Sequence, residues 1–240
     1  MNHVSFQKGV RTVAIAKSII AMQLIASILN FLGCAQKVAS GQELPPPSTV
    51  VNKSVGFEQQ METFKRLGFK LNPGISVGDV DRWSGKKEFE NPPYMILYIT
   101  LGQTIEREPW TPLTDRCWDF DTEAIEDHGA YVEIMKNLER ITRGEIKFEN
   151  LKDYVDVEKG IAWVSFSVNG IKYRWNLKVN DDWVDEGLFT KLVAIKKKLD
   201  TKGRYTYFNT GGQDAVIGYE TPENRNAIAK ATGLKIEWLN

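Results

Sequence analysis

The sequence predicts an α+β fold with a mainly antiparallel sheet, and three observations predict it. The first is residues 161–179, where Asn169-Gly170 is a turn pair that accepts positive φ, flanked by two runs that alternate as strands do. The second is the order of patterns from that hairpin onward: strand, strand, helix, strand, strand, helix, strand. The third is composition. At 42% hydrophobic and 26% charged, with all seven tryptophans beyond residue 80, the chain has ordinary globular content and material for a core without staples. The two-residue turn sets the hairpin register: Val168 opposite Ile171, Phe166 opposite Tyr173, Val164 opposite Trp175 and Ala162 opposite Leu177. These eight form one apolar face, with Trp175 in the core, while Lys172, Arg174 and Lys178 take the wet face. A slip of one residue would turn lysines inward, so the register is well determined. A hairpin alone is marginal in water, so helices are expected on one face of a sheet built around it.

In chain order, Lys8, Arg11 and Lys17 precede the apolar run 18–32, SIIAMQLIASILNFL, which ends in Gly33-Cys34. A positive start, a short apolar stretch and small residues at its end are the pattern of a secretory signal, and the run is short and polar for a membrane span. On these residues the chain resembles a bacterial lipoprotein precursor over its first 34 residues. That resemblance implies lipid attachment at Cys34, as the first mature residue, and export to the cell envelope, facing the periplasm or the cell surface. Cutting after Ala35 or Ser40 by an ordinary signal peptidase is the alternative. Residues 35–55 are polar, lack amphipathic period and contain Pro45-Pro46-Pro47, the composition of a disordered, locally stiff tether.

Residues 56–240 are expected to form one α+β domain, with a division into two lobes near Gly144 as the alternative. Phe57, Met61, Phe64 and Leu67 mark a helix over 56–67 that Gly68 closes. Ser76 and Asp79 form a capping-box pair for a short helix ending near Trp83. The apolar run 94–101, YMILYITL, reads as a buried strand, 103–113 as loop and 117–120 as a strand. Asp127 is the expected cap of a helix through Arg143; residues 146–157 are ambiguous. Beyond the hairpin, Leu188, Leu192, Ile195 and Leu199 stripe a helix. Strands follow at 204–208 and 215–219, then a helix opened by Thr221-Pro222 and closed by Gly233, then a strand at 234–239.

Charge and residue inventory exclude several function classes. Beyond residue 34 the chain carries 28 basic against 31 acidic residues, a net of −3, and no basic patch for nucleic acid. His128 is the sole histidine there and Cys117 the sole cysteine, which excludes multi-histidine zinc sites and an intrachain disulfide. The motif Gly74-Ile75-Ser76-Val77-Gly78 matches a hydrolase nucleophile elbow in letters but lacks the preceding buried strand, so Ser76 reads as a helix cap. Cys117 beside Trp118 reads as a buried core thiol. No cofactor motif and no metal-ligand spacing stands out.

What remains are acids beside aromatics. Asp119, Asp121 and Glu123 would share one strand face, solvated and opposite Trp118 and Phe120. Asp181, Asp182, Trp183 and Asp185 follow the hairpin, and Gly211, Gly212 and Gln213 occupy a hairpin loop whose free N–H groups could line a site. Acids around an exposed aromatic suit protein recognition. The function expected is therefore a non-catalytic, protein-binding envelope module, inhibitor- or immunity-like, anchored to the membrane through its lipidated N-terminus. A carbohydrate-binding or structural envelope protein is the first alternative, and a carboxylate-dependent glycoside hydrolase the second.

Overall fold

The hairpin forms in the register its turn dictates, with Val168 opposite Ile171, Phe166 opposite Tyr173, Val164 opposite Trp175 and Ala162 opposite Leu177. The computed structural model describes residues 54–82 and 85–240; the signal segment, Cys34 and the tether to residue 53 lie outside the described residues, as does Trp83. Among the described residues no helix is long and apolar enough to cross a membrane. The hairpin strands are β5 (Ile161–Val168) and β6 (Ile171–Leu177), and the ambiguous stretch before them is β4 (Glu149–Asp156), completing a three-stranded sheet in the order β4-β5-β6. Its inner face buries Ala162, Val164, Phe166, Val168 and Leu177. Toward the turn the face runs out into solvent: Ile171 is 57% exposed, and Trp175 is half-buried, its ring edge-on to Phe166 at 4.8 Å.

The other strands do not join the hairpin. They make a second antiparallel sheet in the order β3-β8-β7-β9, from β3 (Cys117–Asp121), β7 (Arg204–Asn209), β8 (Asp214–Glu220) and β9 (Glu237–Trp238). The antiparallel α+β class therefore holds, but the strands divide between sheets. A two-residue pair, β1 (Thr104–Ile105) and β2 (Thr111–Pro112), lies within the expected loop. The four-stranded sheet is covered on both faces. Phe120, Ala215, Ile217, Tyr205 and Tyr219 pack into one core with the hairpin, α4 (Ala130–Ile141) and α5 (Gly187–Lys196). Cys117, Val216 and Phe208 point the other way, into a second core. That second core contains α1 (Phe57–Arg66), α2 (Val77–Val80), α3 (Met95–Leu101) and α6 (Pro222–Thr232). β3 and β8 thus carry a core on each side, as strands buried on both faces do.

Three local expectations need correction. Residues 95–101 are a helix and not a strand: α3 is apolar all round, which is what burial of a helix requires and what a short strand also looks like. What decides between them is distant in sequence. Gln60 of α1 is fully buried, its Nε2 donates to the Val55 and Phe89 carbonyls at 2.6 Å each, and its Oε1 accepts from Tyr94 N at 2.7 Å. Tyr94 is held there with φ 69°, a left-handed turn that sends the chain into α3. Secondly, Asp127 does not cap α4. Asp153 of β4 does, accepting from Gly129 N at 2.8 Å and Val132 N at 3.0 Å. Thirdly, the last strand shrinks to Glu237–Trp238.

Elsewhere the local chemistry acts as read. Phe69 N bonds Phe64 O and Gly68 N bonds Lys65 O, a Schellman close with Gly68 at φ 90°. Thr221 accepts from Asn224 N, and Gly233 ends α6 in the left-handed region.

Candidate functional site

Asp119 and Asp121 leave β3 on the side that Cys117 faces, where α3 crosses the strand. The crossing is tight: Asp119 N donates to Gly102 O at 2.9 Å, and a Cβ on Gly102 would lie 2.4 Å from Asp119 N. Only glycine fits there. Beneath this contact the Asp119 carboxylate is largely out of water. Gln103 Nε2 donates to its Oδ2 at 3.2 Å, and its Oδ1 is buried without a hydrogen-bond partner among the described residues. Burial pushes its pKa up to about 6; the Gln103 bond opposes this, and the charges of Asp214 and Asp121 add to it. The expected solvated face is therefore not what Asp119 occupies.

Asp121 pairs in register with Asp214, the first residue of β8. Two like charges opposite each other on a strand pair repel, and burial with the Asp121 and Glu123 charges raises the Asp214 pKa. Gln213 relieves part of this: its Nε2 donates to Asp121 Oδ1 at 3.1 Å and to Glu123 Oε2 at 2.9 Å. Thr122 Oγ1 donates to Gln213 O at 2.6 Å, tying the end of β3 to the β7–β8 turn. In that turn the N–H groups of Gly211 and Gly212 are not free. They donate to Asn209 Oδ1 and Thr210 Oγ1.

The second acidic segment joins the first through its backbone. Ile125 N donates to Asp182 O at 2.8 Å, and Val184 N donates to Thr122 O at 2.9 Å. Residues 119–125, 181–184 and 213–214 are thereby one edge of the molecule. Trp183 stands on it 38% exposed, beside Asp181, which turns with φ 53°. Asp185 is used differently: its oxygens accept from Lys178 N and Gly187 N, and its own N–H bonds Tyr131 Oη, so it fixes the entry to α5. Among the described residues, none of Asp119, Asp121, Glu123, Asp181, Asp182 and Asp214 forms an ion pair.

Two contributors escaped the sequence reading, Asp214 and Gln103. Their signal lies in the β3–β8 pairing and the α3–β3 crossing, neither of which is local. The other sequence candidates sit apart. Ser76 caps α2, its N–H and Oγ both donating to Asp79 Oδ2 at 2.8 Å. Cys117 is fully buried against Tyr98 O, and burial pushes its thiol far up, out of the range of a nucleophile. His128 is exposed, its ring tilted against Tyr154 at 4.6 Å, with Nδ1 accepting from Val155 N. Among the described residues no group of three His, Cys, Asp or Glu could hold a metal ion. Comparison with family models, with curated proteins and with solved structures finds no match to the chain.

Proposed function

We propose that the chain is an exported envelope protein, lipid-anchored at Cys34, whose folded part binds another protein through the acidic edge without catalysis. The observation that carries the reading is the joining of two acidic segments, remote in sequence, into one edge around Trp183. Its acids lack ion-pair partners within the described part, which leaves the charge of the exposed Asp121 and Asp181 available to a basic surface. Desolvating an aromatic ringed by such charge supplies affinity, and the field supplies steered encounter. Asp119, whose Oδ2 is held by Gln103 while its Oδ1 is buried without a partner among the described residues, adds a second support, because carboxylates held at a cost to folding concentrate at functional sites.

The test is capture from an envelope extract on the immobilised chain. A basic protein should be retained at low salt and released as salt rises. Asp181→Lys with Asp182→Lys should weaken retention by about tenfold or more, roughly 1.4 kcal/mol, with an unchanged circular dichroism spectrum. Retention lost only when the fold is lost would overturn the reading. Turnover of a glycan that Asp119→Asn abolishes would replace it with the hydrolase. Attachment is checked separately: labelled palmitate should enter the wild type and not Cys34→Ser.

A further inference from the structure

Far from the acidic edge in sequence, α1 leaves one flank uncovered. Between it and residues 69–77 runs a groove of about 410 Å³. Met61 and Phe64 of α1, Phe69 and Leu71 after it and Val77 of α2 form its walls, and Leu101 of α3 lines it from the core. Val77, the first residue of α2, is 48% exposed.

The charged residues around the groove are arranged end to end. At the start of α1, Glu58 is neutralised by Lys86 at 2.6 Å, and the same ammonium sits 5.6 Å from the centre of the Phe57 ring. At the far end Lys65 and Lys70 line the groove, and among the described residues neither forms an ion pair. Glu62 is the lone acid between. An apolar trough whose lining carries two ammonium groups without ion pairs among the described residues suits an apolar chain with an anionic head.

We infer that this groove binds a long-chain fatty acid, its alkyl chain lying along α1 and its carboxylate held between Lys65 and Lys70. Size favours a small ligand over a protein helix. The volume falls in the range of about 300–1,000 Å³ typical of small-molecule sites, whereas a partner helix about 10 Å across needs a far longer trough than ten residues of α1 provide.

Calorimetry of the full chain with octanoate, decanoate and dodecanoate, each below its micelle threshold, tests this. Saturable one-to-one binding is expected, tightening about fourfold for each methylene until the trough is full. Val77→Asp should weaken decanoate at least tenfold. Lys65→Gln with Lys70→Gln should weaken decanoate to the level of decanol and leave decanol unchanged; the substituted side chains are exposed, and both variants should keep the wild-type melting temperature. The proposal is overturned by absent or unsaturable binding, by equal affinity of the wild type for decanol and decanoate, or by unaltered binding in Val77→Asp. It is also overturned if anionic vesicles bind where decanoate does not, or if the groove variants instead abolish self-association, which would assign the groove to a membrane or to a second copy.

Discussion

Arg116→Met is expected to destabilise the folded part by about 3–5 kcal/mol, the cost typical of removing one partner from a buried ion pair. Arg116 Nη2 donates to Glu220 Oε2 at 2.6 Å, with the two side chains 12% and 2% exposed. The pair closes the end of β8 beneath the α1–α3 layer, and Arg116 also lies 5.1 Å from the Phe69 ring. Yet the pair is incompletely satisfied, because Arg116 Nε and Glu220 Oε1 are buried without partners among the described residues. Burial raises the Glu220 pKa even against the opposing charges of Arg116 and Arg143. Losing Arg116 leaves a buried carboxylate that must protonate or stay uncompensated. The deficit in urea midpoint should therefore be largest at pH 8 and shrink in acid, where Glu220 takes up its proton. Arg116→Met with Glu220→Leu should recover most of the loss, since an apolar pair of similar shape carries no desolvation penalty. Equal losses in the single and double variants would place the effect in packing and not in charge.

Asp119→Asn is expected to stabilise the fold. With a native pKa of about 6 against an ordinary 3.8, Asp119 holds its proton more tightly in the folded state than in the unfolded one. The contribution of that proton to stability is complete below the ordinary value and is lost as pH rises through the native one. A gap of about two pKa units corresponds to at most about 3 kcal/mol at neutral pH, less what solvent at the partly open edge screens. Urea unfolding at pH 4 and pH 8 separates the cases. Asn should gain about 1–2 kcal/mol at pH 8 and almost nothing at pH 4. The same gain at both values would mean that the amide simply packs better. If capture of the partner weakens in the more stable variant, the carboxylate is retained for recognition and not for folding.

The sequence carried the local half of this structure. Hairpin register, the Gly68 and Gly233 caps and the Thr221-Pro222 start each rest on residues a few positions apart, and each forms as expected. The failures share a cause. Residues 95–101 are helical because Gln60 grips Tyr94 from another helix, and α4 is capped from a strand twenty-odd residues downstream. Gln60 did leave a trace, lying three residues from Phe57 and four before Phe64 on the apolar stripe of α1. The acidic candidates were legible as charge, since eight of the ten residues named are acidic or flank acids. Their union was not, because it depends on backbone bonds between 122–125 and 182–184. Nor was the burial of Asp119, which follows from α3 being a helix that crosses β3 at Gly102.

The pairing of β3 with β8 has a consequence for how the chain comes to be folded. Cys117 lies opposite Gly218 and Asp121 opposite Asp214, strands about a hundred residues apart. Closing so long a loop is slow, and nothing repays its entropy until the strands meet. Neither core can be completed before that meeting, because β3 and β8 are the shared wall of both. A chain threaded across a membrane with its N-terminus leading would bring out β3 long before β8. It could complete neither core until residues 214–220 arrived, and the acidic edge would form only then, when β8 meets β3.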